Sequence, residues 1–119
     1  MALMATVLTL MAPGCQTDRC DLRVSRRACW RGDVGACIHH AAARWRVPEG
    51  LLRRRAWCES RMNPGAYNAS SGSSGLFQFI PSTWRTTPYA RRSIWSAHYN
   101  ALAAAWMVRV GRGGEWVCR

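Results

Sequence analysis

The sequence predicts a small, mainly helical domain with a short hairpin or turn segment. Three observations carry that prediction. Apolar residues recur at helical spacing in several windows. Those windows open on residues that start helices and close on residues that stop them. The one serine- and glycine-rich stretch is short and runs at once into apolar residues. A length of 119 residues suits one domain, and an apolar fraction of 49% is enough for a buried core.

Residues 1–14 form an apolar leader of the length expected for a secretory signal core; a short N-terminal helix is the other reading. Its end, Ala12-Pro13-Gly14-Cys15, has a loose likeness to a lipoprotein processing site. Export is therefore expected, with lipid anchoring at Cys15 as a variant of it. Residues 15–34 hold three cysteines among arginines and aspartates with little periodicity, which predicts a cysteine-containing leader or linker. The domain proper is placed at 35–119.

Asp33 can cap a helix in which Ile38, Ala41, Ala42 and Trp45 share a face. Val47-Pro48-Glu49 opens a second helix, because proline suits a first turn and glutamate complements the dipole there. Leu51, Leu52 and Ala56 give it an apolar stripe that ends near Arg61, and Asn63-Pro64-Gly65 stops it. The stretch 68–75 has a linker's composition, but Leu76-Phe77-Gln78-Phe79-Ile80 follows directly, so a small hairpin within the domain is expected. Gly72 and Gly75 supply backbone freedom there. Pro81-Ser82-Thr83-Trp84 starts another helix, and a last one spans about Ser96 to Val110 before Gly111, Gly113 and Gly114.

The charge is one-sided: 17 basic residues, all arginine, against 6 acidic ones give a formal +11. Such a balance favours polyanionic partners. Arg53-Arg54-Arg55 reads as a solvated basic face suited to anionic cell-wall polymers. No nucleic-acid motif is present, so no specific nucleic acid is expected. No apolar run reaches the ~18–20 residues of a transmembrane helix. The six cysteines lack zinc-site spacing and the three histidines are scattered, so neither metal nor cofactor is implied. Disulfides in an oxidising compartment account for them. The preferred bridge is Cys58–Cys118, pinning the C-terminal segment to the second predicted helix; the pairing of the other four cysteines, Cys15, Cys20, Cys29 and Cys37, stays open.

From Gly35 onward the only acidic residues are Glu49, Glu59 and Glu115. Glu59 lies near the end of an amphipathic helix beside Trp57. A carboxyl group at the rim of a buried helix has its pKa raised by desolvation, which suits it to donate a proton near neutral pH.

The run Glu59-Ser60-Arg61-Met62-Asn63-Pro64, then Ala66-Tyr67-Asn68, then Gly72 through Trp84 with Gly75-Leu76-Phe77-Gln78-Phe79-Ile80-Pro81, resembles the signature of soluble lytic transglycosylases. These belong to the lysozyme-like superfamily with goose-type lysozymes and resuscitation-promoting factors. The likeness extends from about Ala36 to Cys118. It implies an α+β lysozyme-like fold, a peptidoglycan substrate and a monomer acting on glycan strands. It makes Glu59 the sole catalytic carboxylate, protonating the β-1,4 link between N-acetylmuramic acid and N-acetylglucosamine. Glu49 lies about 15 Å back along the same helix, too far for a two-carboxylate glycosidase, while Glu115, distant in sequence, stays open as a second carboxylate. The distance of Glu49 favours assistance by the substrate's acetamido group and a 1,6-anhydro product. The resemblance puts Gln78 in the cleft and Asn68 near the acetamido group, while Ile80 stands between core and cleft. Trp84, Tyr89 and Tyr99 are candidates to stack on sugar rings; Trp45, Trp57, Trp95 and Trp106 are expected in the core. Two departures stand out. The later Ala-Tyr-Asn-Ala-Gly block is missing, and Arg55 sits one turn before Glu59, where it is expected to turn outward. The alternatives are a hydrolytic muramidase and a non-catalytic cationic wall-binding or antimicrobial protein.

Overall fold

A computed structural model describes residues 11–116 and residue 118. Most of the expected leader, Met1–Leu10, lies outside the described residues. Five α-helices and one two-stranded sheet follow in the order α1 (Asp18–Trp30), α2 (Val34–Trp45), α3 (Glu49–Ser60), β1 (Tyr67–Asn68), β2 (Ser73–Ser74), α4 (Pro81–Trp84) and α5 (Ala97–Arg109), with a final 3-10 turn at Gly113–Glu115. The strands are antiparallel, with Tyr67 opposite Ser74 and Asn68 opposite Ser73. The chain is thus mainly helical with a small hairpin, as the sequence predicts.

Most of the expected leader or linker 15–34 is helix α1, Asp18–Trp30. Thr17 caps α1 by accepting from the Cys20 amide, and Cys29–Cys37 fastens the end of α1 to α2. Charge adds a second fastening: His39 on α2 bridges Asp21 on α1 at 2.8 Å and Glu49 on α3 at 2.6 Å. Helical periodicity misses α1 because few apolar residues mark its face; Asp21, Ser25 and Cys29 are what it buries. Cys15 is bonded to Cys20, which occupies the sulfur that lipidation would need.

The other boundaries follow local chemistry. Asp33 caps α2 by accepting from the Ala36 amide at 2.9 Å, and Ser96 caps α5 by accepting from the Tyr99 amide. Pro48 precedes α3 and Pro81 opens α4. Arg61 and Met62, both at positive φ, end α3 abruptly.

α5 runs through the centre. Ala101, Leu102, Ala103, Ala104, Ala105 and Met107 are all buried, and a helix apolar on nearly every side belongs inside. Its alanines let α2 come close, while Ile38, Leu52, Leu76 and Phe77 fill the remaining core. Two expectations about tryptophan reverse. Trp57 and Trp95 are exposed, whereas Trp84 is buried. Trp84 packs edge-on against Phe79 and donates its indole N–H to the Arg92 carbonyl, so its ring is spent on the core and is not open to a sugar.

Candidate active site

The abrupt end of α3 positions the site. Glu59 is in its last turn, and the next residue, Ser60, is buried and donates its hydroxyl to the Leu76 carbonyl at 2.7 Å. That bond ties the helix end to the loop 75–80. From the other side Asn100, fully buried on α5, accepts from the Phe77 amide at 2.8 Å and donates to the Ile94 carbonyl at 2.8 Å. Gly75 must be glycine here. Its φ is +83°, and a Cβ would come within 2.5 Å of the Asn100 side chain and 2.7 Å of the Ile94 carbonyl.

These fastenings leave a cavity of about 480 Å³ between the α3 end, the hairpin and the C-terminal segment. Glu59, Gln78, Ile80, Ser71, Ser73 and Thr83 contribute to its wall, with Phe79, Met107 and Trp116 supplying apolar surface. Glu59, Gln78 and Ile80 are therefore brought together. Gln78 takes a positive φ of 51°, and its Nε2 donates to the Ala66 and Gly75 carbonyls at 2.9 and 3.0 Å. The two carbonyls fix the amide's orientation at the cavity wall.

The Glu59 carboxyl is partly withdrawn from water, and this desolvation raises its pKa above the ordinary glutamate value. A hydrogen bond from the Cys118 backbone and the nearby Arg55 cation oppose the rise without cancelling it. Arg55 does not turn outward as expected: its guanidinium lies over the Trp116 ring, 5.2 Å from the centroid. The Trp116 indole N–H in turn donates to the Phe77 carbonyl at 2.8 Å. The Cys58–Cys118 disulfide closes the assembly, so the C-terminal segment forms one wall of the cavity.

Besides Trp84, three candidates, Asn68, Tyr89 and Tyr99, are not in the lining of this cavity. Asn68 is exposed on β1, where its Oδ1 accepts from the Ser70 amide and hydroxyl. Tyr99 packs against Trp30, His98 and Tyr89 on the far side of α5, under Arg92. Tyr89 is held there too, its hydroxyl accepting from the Trp45 indole at 2.9 Å. Glu49 is engaged by His39.

Sequence reasoning overlooked Thr83, Ser71 and Ser73 as cavity residues and left Glu115 open as a second carboxylate; all four line the cavity. The serines were hidden in a stretch with linker composition. Glu115 was too far along the chain to place, and its carboxylate is paired with Arg112, which holds its pKa below the ordinary value. Among the described residues no group of His, Cys, Asp or Glu could hold a metal, and no helix is long and apolar enough to cross a membrane.

The family model described as Transglycosylase SLT domain matches residues 36–107. That span includes most of α2, all of α3, the hairpin and α4, and most of α5, and with them Glu59 and Gln78. The comparisons with curated proteins and with solved structures give no match.

Proposed function

Because this chain belongs to the transglycosylase SLT domain family, we propose that it is a peptidoglycan lytic transglycosylase in which Glu59 is the single acid and base. The observation that supports this most is the setting of Glu59: a partly buried carboxyl group with a raised pKa, facing a cavity beside Gln78. A carboxyl whose pKa is raised keeps its proton to higher pH than an ordinary glutamate, which suits it to act as a general acid.

In the proposed reaction Glu59 protonates the oxygen linking N-acetylmuramic acid to N-acetylglucosamine, and the C1–O bond breaks. The acetamido carbonyl oxygen of the muramic acid bonds to C1 and carries the positive charge. The Glu59 carboxylate then takes the proton from the C6 hydroxyl, O6 attacks C1, the C1–acetamido bond breaks, and the 1,6-anhydro ring closes. Glu59 ends protonated, as it began. Gln78 accepts a hydrogen bond from the sugar at the cleavage point, and Ile80 gives the ring an apolar contact. Asn68 and Tyr99 have no part in this version. Action on the wall implies export, in keeping with three disulfides among the described residues.

One observation favours a second reading. Glu115 lines the same cavity as Glu59, and an ionised carboxylate there could activate water and make the enzyme a hydrolytic muramidase. Mass spectrometry of digested sacculi separates the two. Anhydro-muramic ends are the expected product; reducing ends alone would establish hydrolysis.

A further inference from the structure

A second concave site lies on the opposite part of the fold. Arg19, Arg23 and Arg26 stand at helical spacing on α1, over about 10 Å of its length. With Arg44 of α2 they surround a cavity of about 500 Å³ whose lining includes His40 and His98. None of its lining residues belongs to the Glu59 cavity. His98 and Met107, one at each site, are about 13 Å apart along α5.

The four arginines enter no ion pair among the described residues. Like charges at i and i+4 on a helix repel, so the arrangement costs stability unless an anion neutralises it. His40 and His98 add hydrogen-bonding rings but little charge. Burial holds both pKa values down, His98 at about 4, and Arg26 contributes to both shifts. Their neutrality leaves the arginines to set the field.

We propose that this cavity binds phosphodiester groups of an anionic polymer attached to the cell wall, holding the enzyme on its substrate away from the cleavage site. The choice of polymer rests on the wall-directed function proposed above; the anion chemistry rests on the arginines. Guanidinium groups from two helices can engage the non-bridging oxygens of a phosphodiester by paired hydrogen bonds. Single-stranded nucleic acid fits less well, because it needs open aromatic faces for base stacking. The aromatic ring of the cavity, Tyr89, is packed on Tyr99 and holds Trp45. A membrane surface fits less well too, since apolar side chains would have to stand beside the charges. Val24 is exposed on a different groove with Ala28 and Ala36. That leaves Trp30, exposed against the His98 that lines this cavity, as a single large apolar side chain beside the arginines, less than a membrane-inserting face presents.

The test compares retention on sacculi that keep their phosphodiester polymers with retention on the same sacculi stripped by hydrofluoric acid. Single-stranded DNA and phosphatidylglycerol vesicles serve as competitors. The proteins are wild type, the triple variant R19Q/R23Q/R26Q, and the charge-matched control R46Q/R85Q/R109Q, whose arginines are exposed and line neither cavity. Wild type should bind intact sacculi about tenfold more tightly than stripped ones. The triple variant should lose that difference and the control should keep most of it. All three should cleave stripped sacculi equally: absence of cleavage by wild type would count against the Glu59 reading, whereas loss confined to the triple variant would overturn a retention site separate from the cleavage site. Equal binding of wild type to both sacculi, equal loss in the control, or tighter binding to DNA or vesicles would overturn the proposal.

Discussion

The guanidinium of Arg55 lies over the Trp116 ring, 5.2 Å from its centroid and one turn of α3 before Glu59. The contact fixes the C-terminal wall of the cavity, yet the same cation works against a protonated Glu59. Desolvation prevails. Replacing Arg55 by leucine should therefore push the Glu59 pKa further up and move the alkaline limb of the activity profile to higher pH. Loss of the cation–π contact should lower stability by about 1–2 kcal/mol. A pH–rate profile unchanged by R55L would mean that the cation does not reach Glu59.

Asn100 joins the Gln78 loop to α5 through bonds to Phe77, Ile94 and Ser74. Asn100→Ala leaves a buried amide and two carbonyls without these partners, and should cost about 3 kcal/mol in urea unfolding. Activity should fall even where the variant is folded, because Gln78 loses its anchorage.

His98 packs between Trp30, His40 and Tyr99 with its pKa lowered to about 4. The folded state keeps it neutral while the unfolded chain binds a proton near 6.5. Its contribution is thus complete above pH 6.5 and is lost as pH falls from there through 4. His40, also shifted down by burial, acts in the same direction. The urea midpoint of wild type should drop across this window, and His98→Phe should flatten the dependence while keeping the ring contacts.

The Cys58–Cys118 bridge closes a loop of 60 residues, for which chain entropy gives about 4 kcal/mol. The double variant C58S/C118S should lose much of that in thermal unfolding. It should also lose activity disproportionately, since the Cys118 backbone and Trp116 both belong to the Glu59 site.

Much of this was legible in the chain. Asp33, Ser96, Pro48 and Pro81 mark helix starts because capping and proline geometry are local properties. Glu59 and Gln78 lie within one contiguous motif, so their union in the cavity could be anticipated, as could the bridge to Cys118. What was hidden depends on distant partners. α1 is recognisable through the Cys29–Cys37 bond and the Asp21–His39–Glu49 chain rather than through periodicity. Tyr99 has the right chemistry to stack on a sugar, but the face of α5 that carries it turns toward Trp30. Arg55 was expected in solvent because nothing near it in sequence reveals that Trp116 returns to cover it. Trp57 and Trp95 show the same limit from the other side, at helical spacing yet exposed.

The most direct measurement compares clearing of purified sacculi by wild type and by Glu59→Gln. The raised Glu59 pKa makes the folded state lose stability as pH rises from the ordinary carboxylate value through the raised one. The uncharged glutamine avoids that loss, so the variant should unfold at the same or a higher temperature than wild type at neutral pH. With folding so controlled, the account predicts a fall in clearing rate of about 10²–10⁴-fold. A folded Glu59→Gln protein that clears sacculi at the wild-type rate would contradict it.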